Sequence, residues 1–268
     1  MKDLFKFKNI NQEKEVLQVF VLDVLSQTKF LKRLTLQGGT ALRLCYGSDR
    51  FSEDLDFTGF LDEEEIKEIA GILEHELGNK ILNETKTYIR EGHLVSQIAV
   101  RVYPKDSNQK RLEVKLEIAR VLSLSTDFKR IYSKYYPDIS VFALVESLEE
   151  IFADKIVAFG LRKFLKILPF KARDVWDISW LLDRRISLDS EIVINKLKDY
   201  NADFDTFIST FEKRLNVLNT KKGMETFKAE MMRFAEDQSL ILIKEDAFVN
   251  STLIRVASFL SGLNLTSL

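Results

Sequence analysis

Apolar positions in the first thirty residues recur at helical spacing: Val16, Leu17, Phe20, Val24 and Leu25 predict a leading helix from about Asn11 to Gln27. Leu34 to Gln37 reads as a short strand, Gly38-Gly39 as a turn, and Thr40 as the N-cap of a short helix. In Asp54-Leu55-Asp56-Phe57 polar and apolar residues alternate, the period of a half-buried strand. Asp54 and Asp56 therefore project from one face, and Leu55 and Phe57 from the other. Asp62 and Glu65 form a capping-box start for a helix whose Ile66, Ile69, Ala70, Leu73 and Leu77 face a sheet. Strand-like runs follow at about Thr85–Arg90, Val95–Tyr103 and Arg111–Ala119, the last two joined by a polar loop over 105–110. Beyond about Val145 the period becomes helical nearly to the end, and Pro137 and Pro169 fall between predicted elements. The expected fold class is α/β (α+β). A mixed sheet with flanking helices occupies residues 1–140, and a helical half occupies 141–268.

Composition narrows the chemistry mainly by exclusion. The chain has 268 residues and a net charge of −1, so any nucleic-acid contact must come from a local patch rather than a global basic field. A single cysteine, Cys45, excludes an internal disulfide and fits a reducing, cytoplasmic setting, and its apolar neighbours suggest a buried thiol. Two histidines, His75 and His93, give little support to zinc clusters or serine–histidine chemistry. No apolar run is long enough to span a bilayer, and the N-terminus has no signal-peptide layout.

Two carboxylates on one face of a strand repel each other unless a cation lies between them, and a divalent metal is the usual reason to keep such a pair. Just upstream, Gly38-Gly39-Thr40 would present backbone N–H groups at a helix start, where phosphate binds. Metal acids beside a phosphate cradle point to phosphoryl or nucleotidyl transfer. Over 112–118, Leu112, Val114, Leu116 and Ile118 alternate with Glu113, Lys115 and Glu117, which alone describes a strand with a solvated charged face. Lys155 falls within the stripe formed by Leu148, Ile151, Phe152, Ile156 and Phe159. A lysine there either snorkels to water or reaches a phosphate as a point charge. Lys171, Asp174, Asp177 and Ile178 share a helical face, where Lys171 can answer one acid and Lys155 the other in a salt-bridge network. Trp176 and Trp180 read as core, and Arg162, Lys163 and Lys166 as a basic helical face open to RNA phosphates.

The run Gly38-Gly39-Thr40-Ala41-Leu42, then Tyr46-Gly47, then Arg50-x-Ser52-x-Asp54-Leu55-Asp56-Phe57 resembles the AbiEii/AbiGii toxin family. That family belongs to the nucleotidyltransferase superfamily built around DNA polymerase β. Lys115-Leu116-Glu117-Ile118, Glu150-x-x-Ala153-x-Lys155 and Lys171-x-x-Asp174-x-x-Asp177 continue the likeness, which spans roughly residues 30–185. The resemblance implies an NTP-dependent transferase in which Asp54, Asp56 and Glu117 (Glu113 as fallback) hold Mg²⁺, with Mn²⁺ as a substitute. It assigns the β- and γ-phosphates to Gly38, Gly39 and Thr40, and charge neutralisation on departing pyrophosphate to Lys155. Arg50 and Ser52 would brace the acidic strand or touch the nucleotide. Asp174, ahead of Asp177, would position Lys155 or assist removal of the acceptor proton. The resemblance further implies a bacterial toxin–antitoxin or phage-defence role, a cognate antitoxin, and an RNA acceptor such as the 3′ end of tRNA. A metal-dependent nuclease and a non-catalytic binding module on the same fold are the competing readings.

Overall fold

The computed structural model describes every residue except 1–3, 8, 107, 163–168 and 264–268. Of the basic stretch at 162–166, Arg162 is described, while Lys163 and Lys166 lie outside the described residues. The chain divides into two units, Met1–Glu146 and Ser147–Leu268.

The first unit begins with α1 (Ile10–Ser26), whose N-cap Asn9 accepts a hydrogen bond from the Asn11 backbone at 2.9 Å. Then come β1 (Thr35–Gln37), α2 (Gly38–Tyr46), β2 (Leu55–Thr58) and α3 (Glu63–Ile81), followed by β3 (Glu84–Arg90), β4 (Val95–Tyr103), β5 (Leu112–Ala119), β6 (Thr126–Ser133) and β7 (Tyr136–Glu146). The strands form one mixed sheet in the order β3-β4-β5-β2-β1-β7-β6. β1 pairs antiparallel with β2 and parallel with β7, and β2 pairs parallel with β5. Short β1 is therefore interior, with β2 on one side and β7, more than a hundred residues later, on the other.

The capping box expected at Asp62 and Glu65 is present in both directions, and Ile66, Ile69, Ala70, Leu73 and Leu77 are buried as their spacing predicts. α1 packs on β5 and β7 and α3 on β3 and β4, against side chains such as Phe57, Ile98, Leu116 and Val145. Alternation leaves Asp56, Glu117 and Gln97 on the opposite face, each only half-buried.

The sequence reading missed β6 and β7, and it set Pro137 between elements although that residue is the second of β7. The outward face of this ribbon carries Phe128, Tyr132 and Phe142 exposed among Arg130 and Ser140, so the expected polar–apolar alternation is blurred. Residue 140, where the halves were expected to join, lies within β7.

The second unit is helical: α4 (Leu148–Leu161), α5 (Ala172–Asp183), α6 (Ser190–Asp199), α7 (Phe204–Leu218), α8 (Lys221–Phe234), α9 (Asp237–Lys244) and α10 (Asp246–Ser261). Ser147, Asp189, Asp203 and Thr220 cap α4, α6, α7 and α8 through side-chain oxygens. α4 packs against α5, α6 and α7, and Trp176 and Trp180 are buried as expected.

Candidate active site

The acidic segment of the first unit is held from three directions. Asp54 lies at the bend just before β2, one residue short of the strand expected to carry it, while Asp56 lies within that strand. Both are half-buried and flank the fully buried Leu55, so they share a face. Asp56 is directly opposite Glu117 in the parallel β2–β5 register, and Glu113 lies four residues further along β5. Glu117 is thus the glutamate level with Asp56. Glu113 instead accepts a hydrogen bond from Arg101 Nε at 2.5 Å.

The glycine turn is built around these side chains. α2 begins at Gly38 directly from β1, with Gln37 at its N-cap making no side-chain cap hydrogen bond. The Gln37 side chain thus does not cover the first-turn N–H groups of α2 as an N-cap residue usually does. Gly38 has φ of 72°, and a Cβ there would come within 2.9 Å of Asp56 Oδ2. A Cβ on Gly39 would collide with the Arg50 guanidinium and press on Ser52 Oγ. The absence of side chains at these two positions lets an acid and a buried arginine approach the start of the helix.

Thr40 is not the N-cap. It lies inside the first turn, fully buried, and its hydroxyl donates to the Asp54 carbonyl. Its observed role is to fasten the acidic segment to α2. Arg50 is buried and donates from Nη1 to the Phe51 carbonyl at 3.0 Å, which braces the chain leading into Asp54. Gln18 donates from Nε2 to the carbonyls of Ser52 at 3.1 Å and Asp54 at 3.4 Å. Gln97 donates to Glu117 Oε1 at 2.6 Å. Sequence reading passed over both glutamines, although Gln18 is an amide inside an otherwise apolar run of α1, an oddity that a buried hydrogen-bond role explains.

Burial pushes the Asp54 carboxyl above its usual value; Lys115 pulls it down, Glu117 and Glu53 push it up, and Lys14 opposes them. Among the described residues no group of three or more His, Cys, Asp or Glu side chains is gathered closely enough to hold a metal ion. As placed, the Glu117 carboxylate turns to Gln97. The donors are nevertheless hard carboxylate oxygens, one at the bend before β2, one on β2 and one across from it on β5, with an acid that burial holds partly against ionisation. That set suits magnesium in kind, because a divalent cation relieves the repulsion that the fold imposes.

In the second unit, Lys155 of α4 is buried as its place in the apolar stripe requires. Its ammonium bridges Asp177 at 2.9 Å and Asp174 at 3.4 Å. Arg162 Nε adds a 3.0 Å contact to Asp174, the role expected of Lys171, which instead is an exposed residue at the N-cap of α5. Lys196 of α6 is buried between Glu150 at 2.6 Å and Asp154 at 3.2 Å. The stripe argument applied to Lys155 would have found Lys196 as well, since Val193 and Leu197 flank it at helical spacing. Arg214, also buried, donates to the carbonyls of Phe159, Arg162 and Pro169 and so secures the chain on both sides of residues 163–168.

A family described as nucleotidyl transferase AbiEii toxin, type IV toxin–antitoxin system, matches residues 20–250. The chain belongs to the AbiEii nucleotidyltransferase toxin family. It is accordingly a nucleotidyltransferase of the toxin–antitoxin class, and the family implies a nucleoside triphosphate substrate and an antitoxin partner. Similar solved structures include MenT4, a nucleotidyltransferase toxin from Mycobacterium tuberculosis H37Rv (19% identity, TM-score 0.56, covering 95% of this chain and 85% of that one). JHP933 from Helicobacter pylori is similar at 20% identity and TM-score 0.53, covering 94% of this chain and 93% of that one. A further H. pylori structure, of a nucleotidyltransferase described as putative, is similar at 19% identity and TM-score 0.52, with 96% and 98% covered. At these identities the likeness supports the AbiEii fold and nothing finer. No curated protein matches the sequence. Among the described residues no helix is long and apolar enough to cross a membrane.

Proposed function

We propose that this AbiEii-family enzyme transfers a nucleotide from an NTP to the 3′ end of an RNA, with tRNA as the acceptor class, in the cytoplasm. The observation that carries this reading is the direct Asp56–Glu117 pairing, with Asp54 on the same face and Gly38 against the Asp56 carboxylate. Asp54, Asp56 and Glu117 are the residues that would hold Mg²⁺ or Mn²⁺. When bound, the ion supplies activation of the acceptor hydroxyl and charge neutralisation on the phosphates.

The remaining roles belong to the chain itself. The first-turn N–H groups at Gly38 and Gly39 receive phosphate oxygens. Thr40, Gln18 and Arg50 hold the acidic segment in register by bonding its backbone, and Ser52 packs against the glycine turn. Gln97 holds Glu117 by donating from its amide to the carboxylate. In the helical unit, Asp174 and Asp177 orient the Lys155 ammonium, which suits it to meet the negative charge of a phosphate.

The test incubates the purified protein with Mg²⁺, each labelled NTP in turn, and total RNA. Label should enter an RNA of tRNA size, lengthening it, and Asp54→Asn should abolish this. Shortened RNA without added nucleotide, or undiminished incorporation by Asp54→Asn, overturns the proposal.

A further inference from the structure

The row of residues containing the acids does not stop at them. Across the sheet, Asp56 pairs with Glu117, Glu117 with Gln97, and Gln97 with Arg90 at the β3 edge. Side chains at matched positions of neighbouring strands share a face, so one continuous surface runs from the acids to that edge. Its β3–β4 end has an unusual composition. Tyr88 is 42% exposed and stands opposite the small Ala99, which leaves the strip beside its ring low. The Arg101 guanidinium lies over the Tyr88 ring at 4.2 Å and is held there by Glu113. Tyr103 meets Tyr88 hydroxyl to hydroxyl at 3.4 Å, with the Lys86 ammonium 5.8 Å from its ring centre. Within β3 and β4 this face carries Lys86, Arg90 and Arg101 against the single carboxylate Glu84, with Lys86 bridged to Glu84 at 2.7 Å and Arg101 to Glu113 of β5, which leaves Arg90 as its exposed cation at the edge.

Tyrosine rings interleaved with guanidinium and ammonium groups on a sheet face form a surface for unpaired bases and phosphates. Base–ring stacking tolerates any sequence, and cations track the backbone. We propose that the β3–β4 end of this face binds the single-stranded 3′ segment of the RNA acceptor. Tyr88 and Tyr103 stack its bases, Arg90 and Lys86 contact its phosphates, and its terminus is directed along the row toward Asp56. The proposal rests on the RNA-acceptor reading above, and it commits to RNA because the surface is cationic and aromatic rather than apolar. The sheet's other edge differs: there Phe128 and Phe142 stack on each other as an exposed apolar pair.

The experiment measures binding of a short fluorescein-labelled single-stranded oligoribonucleotide to the full chain by anisotropy, without NTP or metal. Wild type should bind it in preference to the same RNA annealed as a duplex. Tyr88→Ala and Tyr103→Ala should each weaken binding about tenfold, whereas Tyr88→Phe should retain it. Phe128→Ala, at the other edge, should match wild type. If either alanine variant fails to fold, Arg90→Glu at its exposed position reads the same surface through weaker, less salt-sensitive binding. Wild-type-like RNA binding by Tyr88→Ala, Tyr103→Ala and Arg90→Glu overturns the inference, and with transfer intact it leaves this face to a protein partner. Absence of RNA binding by the wild type overturns it too. Tyr88-dependent RNA binding by a protein that shows no transfer would instead keep this surface and remove the proposed reaction.

Discussion

At the β2–β5 junction carboxylates stand beside carboxylates, whereas along α4–α6 they stand beside cations. Asp54, Asp56 and Glu117 share one face, with Glu53 nearby paired to Lys14 at 3.0 Å, and burial, aided by Glu117 and Glu53 against the pull of Lys115 and Lys14, holds the Asp54 carboxyl above its ordinary range. In the helical unit Glu150 and Asp154 share Lys196, Asp177 pairs with Lys155, and Asp174 has both Lys155 and Arg162. The second arrangement supplies its own counter-charge and fixes its rotamers. In the first, burial and neighbouring acids outweigh Lys115 and Lys14 at Asp54, a balance that an external cation would tip toward ionisation. Two dense clusters of acids in one chain therefore call for opposite readings, and the neighbours of each acid decide which applies.

The largest effect that tests this contrast comes from neutralising Asp54. Transfer by Asp54→Asn should fall on the order of a thousandfold or more, as measured by labelled-nucleotide incorporation. Stability should move the other way. A carboxyl raised in the fold pays for its ionisation; that penalty is absent below the ordinary carboxylate value and grows as pH rises through the folded value. At neutral pH Asp54→Asn should thus melt at or above the wild-type temperature, and Mg²⁺ should raise the midpoint of wild type alone. A melt well below wild type would place Asp54 in a structural network like the one in the helices.

The two lysines of the helical unit sharpen the same comparison. Lys196→Ala strands two acids around a buried site and should cost about 3–5 kcal/mol in a denaturant melt. Transfer per folded molecule should change little. Lys155→Ala should also destabilise, but transfer should drop about a hundredfold beyond what unfolding explains. Equal behaviour of the two variants would reduce Lys155 to a structural ion pair.

A smaller effect is expected at the glycine turn. Gly39→Ala sets a methyl group against the Arg50 guanidinium and should destabilise by about 1–3 kcal/mol. Transfer should weaken with it, because Arg50 braces the approach to Asp54. The smallest effect concerns Cys45, which is half-buried, with burial pushing its thiol up to about 12 against the weaker pull of Lys129. At pH 8 iodoacetamide should leave it unmodified in the folded protein and alkylate it after denaturation, as read by mass spectrometry.

The parts legible in the sequence were those in which one face is apolar and the other is not. α3 and its capping box, β4 and β5 followed directly from period and caps. The β6–β7 ribbon did not, because aromatic residues lie on its outward face as well. At the candidate site the residue types and their spacing were visible, but the partners were not. No local pattern links Gln18 to Ser52 or Lys196 to Glu150, since each contact joins segments far apart in the chain. Thr40 illustrates the limit: its position suggests a cap, yet a carbonyl fourteen residues away takes its hydroxyl.

The interior place of β1 has a consequence for biosynthesis. Its neighbours are β2, some twenty residues later, and β7, where Leu36 meets Val145. A nascent polypeptide can pair β3, β4, β5, β2 and β1 once the segment through Ala119 has emerged, but β1 stays an open edge until the ribosome has released the segment through Val145. The part of the sheet that carries Asp56 and Glu117 is thus bounded by an unpaired strand until more than half of the chain is translated.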